Sequence, residues 1–380
     1  VIDSRSLQVV GFELPGDKTI QIFEDPALKS QLEAIGAAMN GAAVTIESWT
    51  DDRSQSVIAV EHIGQPIDYY LFEPDVGALS PVGNKAPHLD ARPLGQIEGI
   101  SYHARDGLLI HGYLTLPPGK ARSDGPFPLI LLPHGGPEAN DTLGFDWWAQ
   151  AYAAAGYVVI QPNFRGSMGY GTGFRDAGYG EFGDKMVTDI LDAAVWADDE
   201  GVAVSGNACI VGASYGGYAA LMAPLHDEAA VRCVVAVNPL TNPFKFLSDY
   251  GYQSFLVNSV ERFLGVSRFD SAESRQSITP TSRVNEFKVP VLLISGDQDS
   301  TVPFEQSQDL ANAARGVADV TLLTLEGEDH YLQSTQARFD ILSNSLDFLN
   351  VSSGSRSARC GGSRNGGAPR SPTRCHQHSR

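Results

Sequence analysis

The stretch that decides the fold is ACIVGASYGGYAALMA at residues 208–223. It begins as an apolar run typical of a buried strand and ends in small and apolar residues typical of a buried helix. Between them, residues 212–216 match the Gly-x-Ser-x-Gly pattern, in which a serine is held at a sharp strand-to-helix turn. Glycines two residues to either side let strand and helix pass without a clash of Cβ atoms. This context predicts a nucleophile at Ser214 rather than an ordinary glycine-rich turn.

Strand-like and helical patterns alternate on both sides of this turn. Further strands are predicted at 108–115, 128–132, 157–161, 231–237, 290–295 and 319–324. Helices are predicted at 143–155, 184–199, 215–224, 304–315 and 333–349. Such alternation is typical of a mainly parallel sheet with helices on both faces, an α/β fold.

Three regions of the chain have different compositions. Residues 1–96 read as short strands broken by turn signals, with one helical insert at 27–40. The α/β pattern fills residues 97–350. Residues 351–380 contain six arginines and no acidic or aromatic residue, so they cannot bury enough surface to fold, and we expect a disordered tail.

Several apolar side chains have an expected place. Phe339, Leu342, Leu346 and Leu349 recur at helical spacing, which predicts one buried face of the last helix. Trp147 and Trp148 are interpreted as core residues. The aromatic side chains of the irregular segment 239–288 fit either a wall of the substrate pocket or plain core packing.

Composition and charge limit the partners and the compartment. No apolar run reaches the 18 or so residues of a membrane helix. The first 350 residues carry 21 basic and 45 acidic side chains, a balance that repels phosphate backbones and argues against nucleic acid. The chain opens without a basic and apolar leader, so we expect a cytoplasmic location. An exposed sheet edge in residues 1–96 would favour a homo-oligomer. Cys209 and Cys233 lie in apolar runs and are expected to be free buried thiols.

A serine nucleophile needs a base, and the sequence offers one histidine in a suitable place. In folds built on this turn the order along the chain is serine, acid, histidine. His226 ends the helix after Ser214 and two later histidines lie in the tail, which leaves His330, just after the strand at 319–324. The acid is expected in SGDQDSTVP at 295–303, where the residues alone do not separate Asp297 from Asp299.

The oxyanion formed during acyl transfer needs preorganised N–H donors. One is the backbone N–H of Tyr215, which follows the nucleophile. The other is expected from LLPHGGP at 131–137, whose glycines let the backbone approach a substrate. His134 in this loop is interpreted as a brace rather than as a proton carrier. No metal or cofactor is implied.

These motifs together resemble the prolyl oligopeptidase family of serine peptidases, in its branch of acylaminoacyl-peptidases and dipeptidyl peptidases. The motifs are HGGP at 134–137, NFRGSMGYG at 163–171, GASYGGYAA at 212–220, GDQDSTVP at 296–303 and GEDH at 327–330. The resemblance implies an α/β-hydrolase fold, Ser214 as nucleophile, His330 as base and Asp299 as the acid. It also implies an oxyanion hole formed by Gly136 and Tyr215.

Two departures from the family pattern leave alternatives open. Thr301 stands where many relatives carry an arginine that binds a substrate carbonyl. Residues 1–96 supply about two propeller blades, whereas a closed propeller needs at least four, so they read as a propeller remnant. A peptidase acting on short or N-acylated peptides, a carboxylesterase acting on short acyl esters, and a non-catalytic binding protein therefore remain as hypotheses.

Overall fold

The N-terminal part of the chain is rich in strands. The computed structural model describes residues 1–39, 41–89, 92–249 and 255–352. The first elements are β1 (Gly11–Leu14), β2 (Ile20–Phe23), α1 (Pro26–Ala38), β3 (Ala43–Trp49), β4 (Ser56–Glu61), β5 (Asp68–Glu73) and β6 (Ala78–Asn84). Strands β1 and β2 form an antiparallel hairpin, and β3 to β6 form a four-stranded antiparallel meander in chain order. The meander has the form of one propeller blade, so the expected second blade corresponds only to a hairpin and a helix.

An eight-stranded sheet forms the centre of the molecule. Its strands are β7 (Ile97–His103), β8 (Leu109–Thr115), β9 (Phe127–Leu131), β10 (Val158–Asn163), β11 (Ala203–Ala213), β12 (Val231–Val237), β13 (Val291–Gly296) and β14 (Val320–Leu325). They are ordered β14-β13-β12-β11-β9-β10-β8-β7 across the sheet. Only the pairings made by β8 are antiparallel, so the sheet is mainly parallel, as expected.

Helices cover both faces of this sheet. They are α2 (Trp147–Ala154), α3 (Thr172–Asp176), α4 (Lys185–Asp199), α5 (Tyr215–His226), α6 (Pro243–Asp249), α7 (Phe255–Leu264), α8 (Ala272–Ser277), α9 (Glu305–Ala313) and α10 (Thr335–Ser352). Apolar side chains form a separate buried cluster on each face. Because the crossovers bury both faces, the central strands are continuous apolar runs, which is why the sequence located them within a few residues.

The last helix buries the expected face except at Phe339. Leu349 is buried, and Leu342 and Leu346 are partly buried against the core. Phe339 is 63% exposed, and the buried positions follow four-residue steps through Ala337, Ile341, Ser345 and Leu349. The hydroxyls of Ser345 and Tyr152 lie 2.9 Å apart, so small residues let α10 approach α2 closely. The helix also runs to Ser352, so the first two residues of the predicted tail are helical; the remainder lies outside the described residues.

The prediction for the two cysteines was also wrong. Cys209 in β11 and Cys233 in β12 face each other in the parallel register and form a disulfide. Trp147 and Trp148 pack only partly buried against the core cluster on their side of the sheet.

The N-terminal part contacts the rest of the chain at Leu143, in the segment between β9 and α2, and at Tyr113 in the central sheet. The N–H of Leu143 donates to the carbonyl of Asp17, and the carbonyl of Leu143 accepts from the N–H of Gly64, both at 2.9 Å. The carboxylate of Asp17 also accepts a hydrogen bond from the hydroxyl of Tyr113 in β8, at 2.7 Å. We name this set of contacts the Leu143 clasp. It attaches the N-terminal part to the segment that follows HGGP.

Candidate active site

Ser214 lies at the sharp turn between β11 and α5. Its backbone has φ +57° and ψ −118°, a conformation that L-residues rarely adopt and that is typical of a strained functional turn. A Cβ on Gly212 would lie 2.5 Å from the backbone of Gly216, and one on Gly216 would lie 2.2 Å from the carbonyl oxygen of Pro133. Both glycines are therefore needed for the close approach of three backbone segments around the serine.

The loop HGGP lies against this turn. A Cβ on Gly135 would be 3.3 Å from Cβ of Ser214, and Gly136 has φ +122°, which favours glycine. The N–H of Tyr215 is the first of α5, where N–H groups have no acceptor within their own helix. The two predicted oxyanion donors thus belong to segments that meet at Ser214.

His134 makes contacts that suit a brace. Its Nδ1 lies 2.7 Å from the carbonyl oxygen of Gly135, its Nε2 lies 2.8 Å from Oγ of Ser167, and its ring stacks on Phe164 with centroids 4.4 Å apart. Burial lowers the pKa of His134 to about 4, so the ring is neutral near pH 7. The imidazole ties HGGP to the turn after β10.

That turn is fixed in place by Arg165. The guanidinium of Arg165 is 5% exposed and forms paired hydrogen bonds with Asp189, in α4, and with Asp106, in the turn between β7 and β8. Its hydrogen bonds lower the pKa of the Asp106 carboxyl to about 2. A buried cation thus connects three elements beneath the oxyanion loop.

Asp299 and His330 meet at the carboxyl ends of β13 and β14. Nδ1 of His330 lies 2.7 Å from Oδ2 of Asp299, whose side chain is 1% exposed. The other oxygen of Asp299 accepts hydrogen bonds from the N–H groups of Thr301 and Val302, both at 2.8 Å. Because Nδ1–H donates to a carboxylate, Nε2 of His330 is left as an acceptor, the state a general base requires.

Asp297 has a different role in the same loop. Its Oδ1 accepts a hydrogen bond from the N–H of Gly327, at 2.7 Å. It therefore ties the loop after β13 to the loop after β14, the turn-stabilising role expected of whichever aspartate does not reach the histidine. The geometry brings Asp299, and not Asp297, to the imidazole.

Asn238 is a site residue that the sequence reasoning missed. It follows β12, which lies between the strand that leads to Ser214 and the strand that leads to Asp299. Its side chain contacts the backbone of both Gly296 and His330. The one signal available in the sequence was an asparagine directly between a buried strand and a proline.

The three predicted triad residues follow the carboxyl ends of β11, β13 and β14, on the same side of the sheet. The N–H of Ser214 donates to the carbonyl of Val237, at 2.9 Å, and the next residue, Asn238, contacts His330. Within the described ranges, no hydrogen bond joins the hydroxyl of Ser214 to the ring of His330. Such contacts are often long without substrate and shorten in the complex.

The aromatic segment 239–288 contributes mainly to the core where it is described. Phe246 and Phe263 are buried and Phe244 is partly buried against the same cluster. Tyr250 and Tyr252, and the side chain of Phe255, lie outside the described residues. In the described part of the chain, no group of three or more His, Cys, Asp or Glu side chains is placed to hold a metal ion. No helix among those residues is both long and apolar enough to cross a membrane.

The sheet order and the turn at Ser214 define an α/β hydrolase. The sequence profile of the prolyl oligopeptidase family matches residues 143–356, more than half of the chain. The chain belongs to the prolyl oligopeptidase family, as its motifs indicated.

Individual relatives agree with this assignment. Dipeptidyl aminopeptidase BIII of Pseudoxanthomonas mexicana is 32% identical over 314 residues, covering 80% of this chain and 45% of that protein. Dipeptidyl peptidase family member 6 of Caenorhabditis elegans is 28% identical over 358 residues, covering 85% and 48%. The fold is similar to that of a puromycin-hydrolyzing peptidase of Mycobacterium tuberculosis, with a TM-score of 0.72 at 21% identity over 79% of this chain and 46% of that one. The chain spans about half the length of the curated relatives it matches.

Proposed function

We propose that this chain is a serine peptidase that cleaves peptide or acyl-peptide bonds through an acyl-enzyme. The proposal assigns Ser214 as nucleophile, His330 as general base and Asp299 as the residue that orients the base. The N–H groups of Tyr215 and Gly136 form the oxyanion hole. Family membership supports the reaction class, and the local geometry supports the residues.

The chemistry follows from the protonation states. Nε2 of His330 takes the proton of the Ser214 hydroxyl while Oγ attacks the scissile carbonyl carbon. The carbonyl oxygen becomes an oxyanion that accepts from Tyr215 and Gly136. When the tetrahedral intermediate collapses, the carbon–nitrogen bond breaks and the imidazolium gives its proton to the departing amine. His330 then takes a proton from a water molecule, which attacks the carbonyl carbon of the acyl-enzyme. The bond between that carbon and Oγ of Ser214 breaks, Oγ regains its proton from the imidazolium, and the acid is released.

The observation that carries the proposal is the contact between Asp299 and His330. This carboxylate is 1% exposed and is hydrogen-bonded at both oxygens, by two backbone N–H groups at one and by the imidazole, at 2.7 Å, at the other. It fixes the tautomer of His330 that leaves Nε2 free to accept a proton. A carboxylate that orients an imidazole in this way is the arrangement found in serine hydrolase triads.

A carboxylesterase is the second candidate, and the presence of a threonine at position 301 favours it. This threonine occupies the position of the arginine that anchors a substrate carbonyl in many relatives, and its own N–H donates to Asp299. Without that arginine, peptide substrates lose an anchoring group, whereas short acyl esters need less anchoring and have better leaving groups.

We further propose that residues 1–96 form a propeller remnant and that residues 97–350 form the catalytic unit, because their strands belong to separate sheets. The Leu143 clasp joins the two parts through the segment that follows the oxyanion loop. We propose short peptides or short acyl esters as the substrates.

Location and assembly are part of the proposal. A cytoplasmic location stays a prediction, and the Cys209–Cys233 disulfide favours an oxidising compartment instead. Alkylation of cells before lysis, followed by mass spectrometry of the two cysteines, decides between them: alkylated cysteines support the cytoplasm and a protected pair contradicts it. A homo-oligomer also stays a prediction, tested by light scattering.

Fluorophosphonate labelling tests the reaction class. We expect the wild type to be labelled at Ser214 and the Ser214→Ala variant to remain unlabelled. A matched control is Ser277→Ala, which removes an exposed hydroxyl in α8 that donates to the carbonyl of Ser274 and leaves the nucleophile in place. A folded wild-type protein that is not labelled would contradict both enzyme hypotheses and leave the binding protein.

Substrate comparison tests the bond that is cleaved. For each substrate, kcat/KM is divided by the rate constant of uncatalysed hydrolysis. We expect this ratio to be higher for aminoacyl and acyl-peptide anilides than for short-chain p-nitrophenyl esters. If only the esters are hydrolysed, the chain is a carboxylesterase and the peptidase proposal is wrong.

A further inference from the structure

The side chain of Asn238 contacts the backbone of both loops that carry the predicted base and acid. Its Nδ2 donates to the carbonyl oxygens of His330, at 3.1 Å, and Asp329, at 3.3 Å. Its Oδ1 accepts from the N–H of Gly296, at 2.9 Å, where β13 ends and the loop to Asp299 begins. The residue is 2% exposed, so these hydrogen bonds do not compete with bulk water.

The backbone of Asn238 is attached on both sides. Its N–H donates to the carbonyl of Ile294 in β13, at 2.8 Å, and the preceding carbonyl, of Val237, accepts the N–H of Ser214. Asn238 thus links the turn of the nucleophile to the loops of the other two residues within one step of the chain.

The loops held by Asn238 are packed backbone to backbone. A Cβ on Gly296 would lie 2.3 Å from the carbonyl oxygen of Glu328 and 3.0 Å from that of Asp329. The position of the loop after β14 relative to the loop after β13 therefore depends on backbone contacts and on the hydrogen bonds between the two loops. A shift of the His330 backbone would change the position of Nε2 relative to the hydroxyl of Ser214.

Only a side-chain amide of this length meets these demands. It must donate to two carbonyls at one end and accept from an N–H at the other, and an aspartate supplies no donor. The residue also has φ +43°, in the left-handed region where asparagine is several-fold enriched.

We propose that Asn238 is a positioning residue, which sets the position of His330 relative to Ser214 by joining the loop of the base to the loop of the acid. It acts on the chemical step and touches no substrate. The inference rests on the proposed function, because it assumes that Ser214 and His330 react together.

The test compares Asn238→Gly, Asn238→Asp and wild type. Glycine keeps the left-handed backbone and removes the amide, while aspartate keeps the shape and removes the donors. Asn207→Ala is the matched control, because it removes an asparagine that contacts Arg232 near the opposite end of β11. Rates are divided by the concentration of active sites, counted by a fluorophosphonate burst, so unfolded molecules do not contribute.

We expect both Asn238 variants to lose about 10- to 100-fold in kcat, the range expected for a misplacement near 1 Å, with KM within about threefold of wild type. Asn207→Ala should keep wild-type kcat. If the Asn238 variants keep kcat within about threefold of the control, or raise KM at unchanged kcat, the proposal is wrong. Should the glycine variant fail to fold, the aspartate variant decides by the same criteria.

This experiment tests the proposed function and the role of Asn238 separately. Failure of the wild type to react with the fluorophosphonate would overturn the proposed function itself. A reactive wild type whose kcat does not depend on Asn238 would overturn only the positioning role.

Discussion

Replacing Asp299 by asparagine should abolish most activity without removing any atom of the framework. Oδ1 of Asp299 already accepts two backbone N–H groups. An asparagine will therefore keep its carbonyl oxygen at that end and turn its NH2 group toward Nδ1 of His330. The ring must then accept at Nδ1 and carry its proton on Nε2, where it cannot take the proton of Ser214.

A wrong tautomer of this kind costs about 10⁴ in kcat in the serine peptidase where the same substitution is the standard example, equivalent to about 5 kcal/mol of transition-state stabilisation. We expect a loss of about 10³- to 10⁴-fold for Asp299→Asn. Asp297→Asn is the matched control, because its carbonyl oxygen can still accept from Gly327 and we expect less than about a tenfold loss.

The assay is steady-state hydrolysis of the best anilide or ester, with protein folding checked by circular dichroism. Equal losses in the two variants, or a larger loss for Asp297→Asn, would refute the assignment of Asp299. A large loss in the Asp299 variant that recovers at high pH would instead agree with it, because hydroxide can replace a missing base.

Other predictions concern stability. Burial lowers the pKa of His134 to about 4, below its value near 6.5 in an unfolded chain, so the unfolded chain binds a proton first as the pH falls. Lowering the pH from 6.5 to 4 should therefore cost the wild type about 3 kcal/mol of unfolding free energy that the His134→Gln variant does not lose. Urea titrations of both proteins at several pH values measure this, and parallel dependences on pH would contradict it. Arg165→Met should cost about 3–5 kcal/mol, because it leaves a buried carboxylate without its partner, and a loss below about 1 kcal/mol in urea would contradict this. Ile341→Ala should cost about 2–4 kcal/mol and Phe339→Ala less than about 0.5 kcal/mol, because Ile341 is buried and Phe339 is exposed; the reverse order in thermal melts would contradict this. Deletion of residues 353–380 should leave activity and Tm unchanged, and a clear fall in either would mean that the tail contributes to the fold.

The strands and the chemical motifs could be predicted from the sequence because their patterns are local. The buried strands of the central sheet are apolar along their whole length, and the glycines around Ser214 are required by contacts within a few residues. The same holds for His330, which follows the last strand directly. Local patterns of this kind survive in the sequence whatever the rest of the fold does.

The errors concern contacts between distant parts of the chain. Nothing local indicates that β11 and β12 pair in the register that places Cys209 opposite Cys233. Hydrophobic spacing in α10 correctly indicated Leu349 but also favoured Phe339, which is exposed. It did not indicate Ser345, whose small side chain is buried where α10 meets α2. The choice between Asp297 and Asp299 depends on which backbone N–H groups each carboxylate meets, and the residues alone did not settle it.

The Leu143 clasp has a practical consequence for anyone who wishes to divide this protein. If a protease nicks the chain near residue 96, both halves should still migrate together, because main-chain groups on either side of the cut remain paired with each other. Expressing the second half by itself would leave the N–H and the carbonyl of Leu143, in the segment after the oxyanion loop, without these partners, so a fragment trimmed at that point should be a poorer catalyst than the nicked whole.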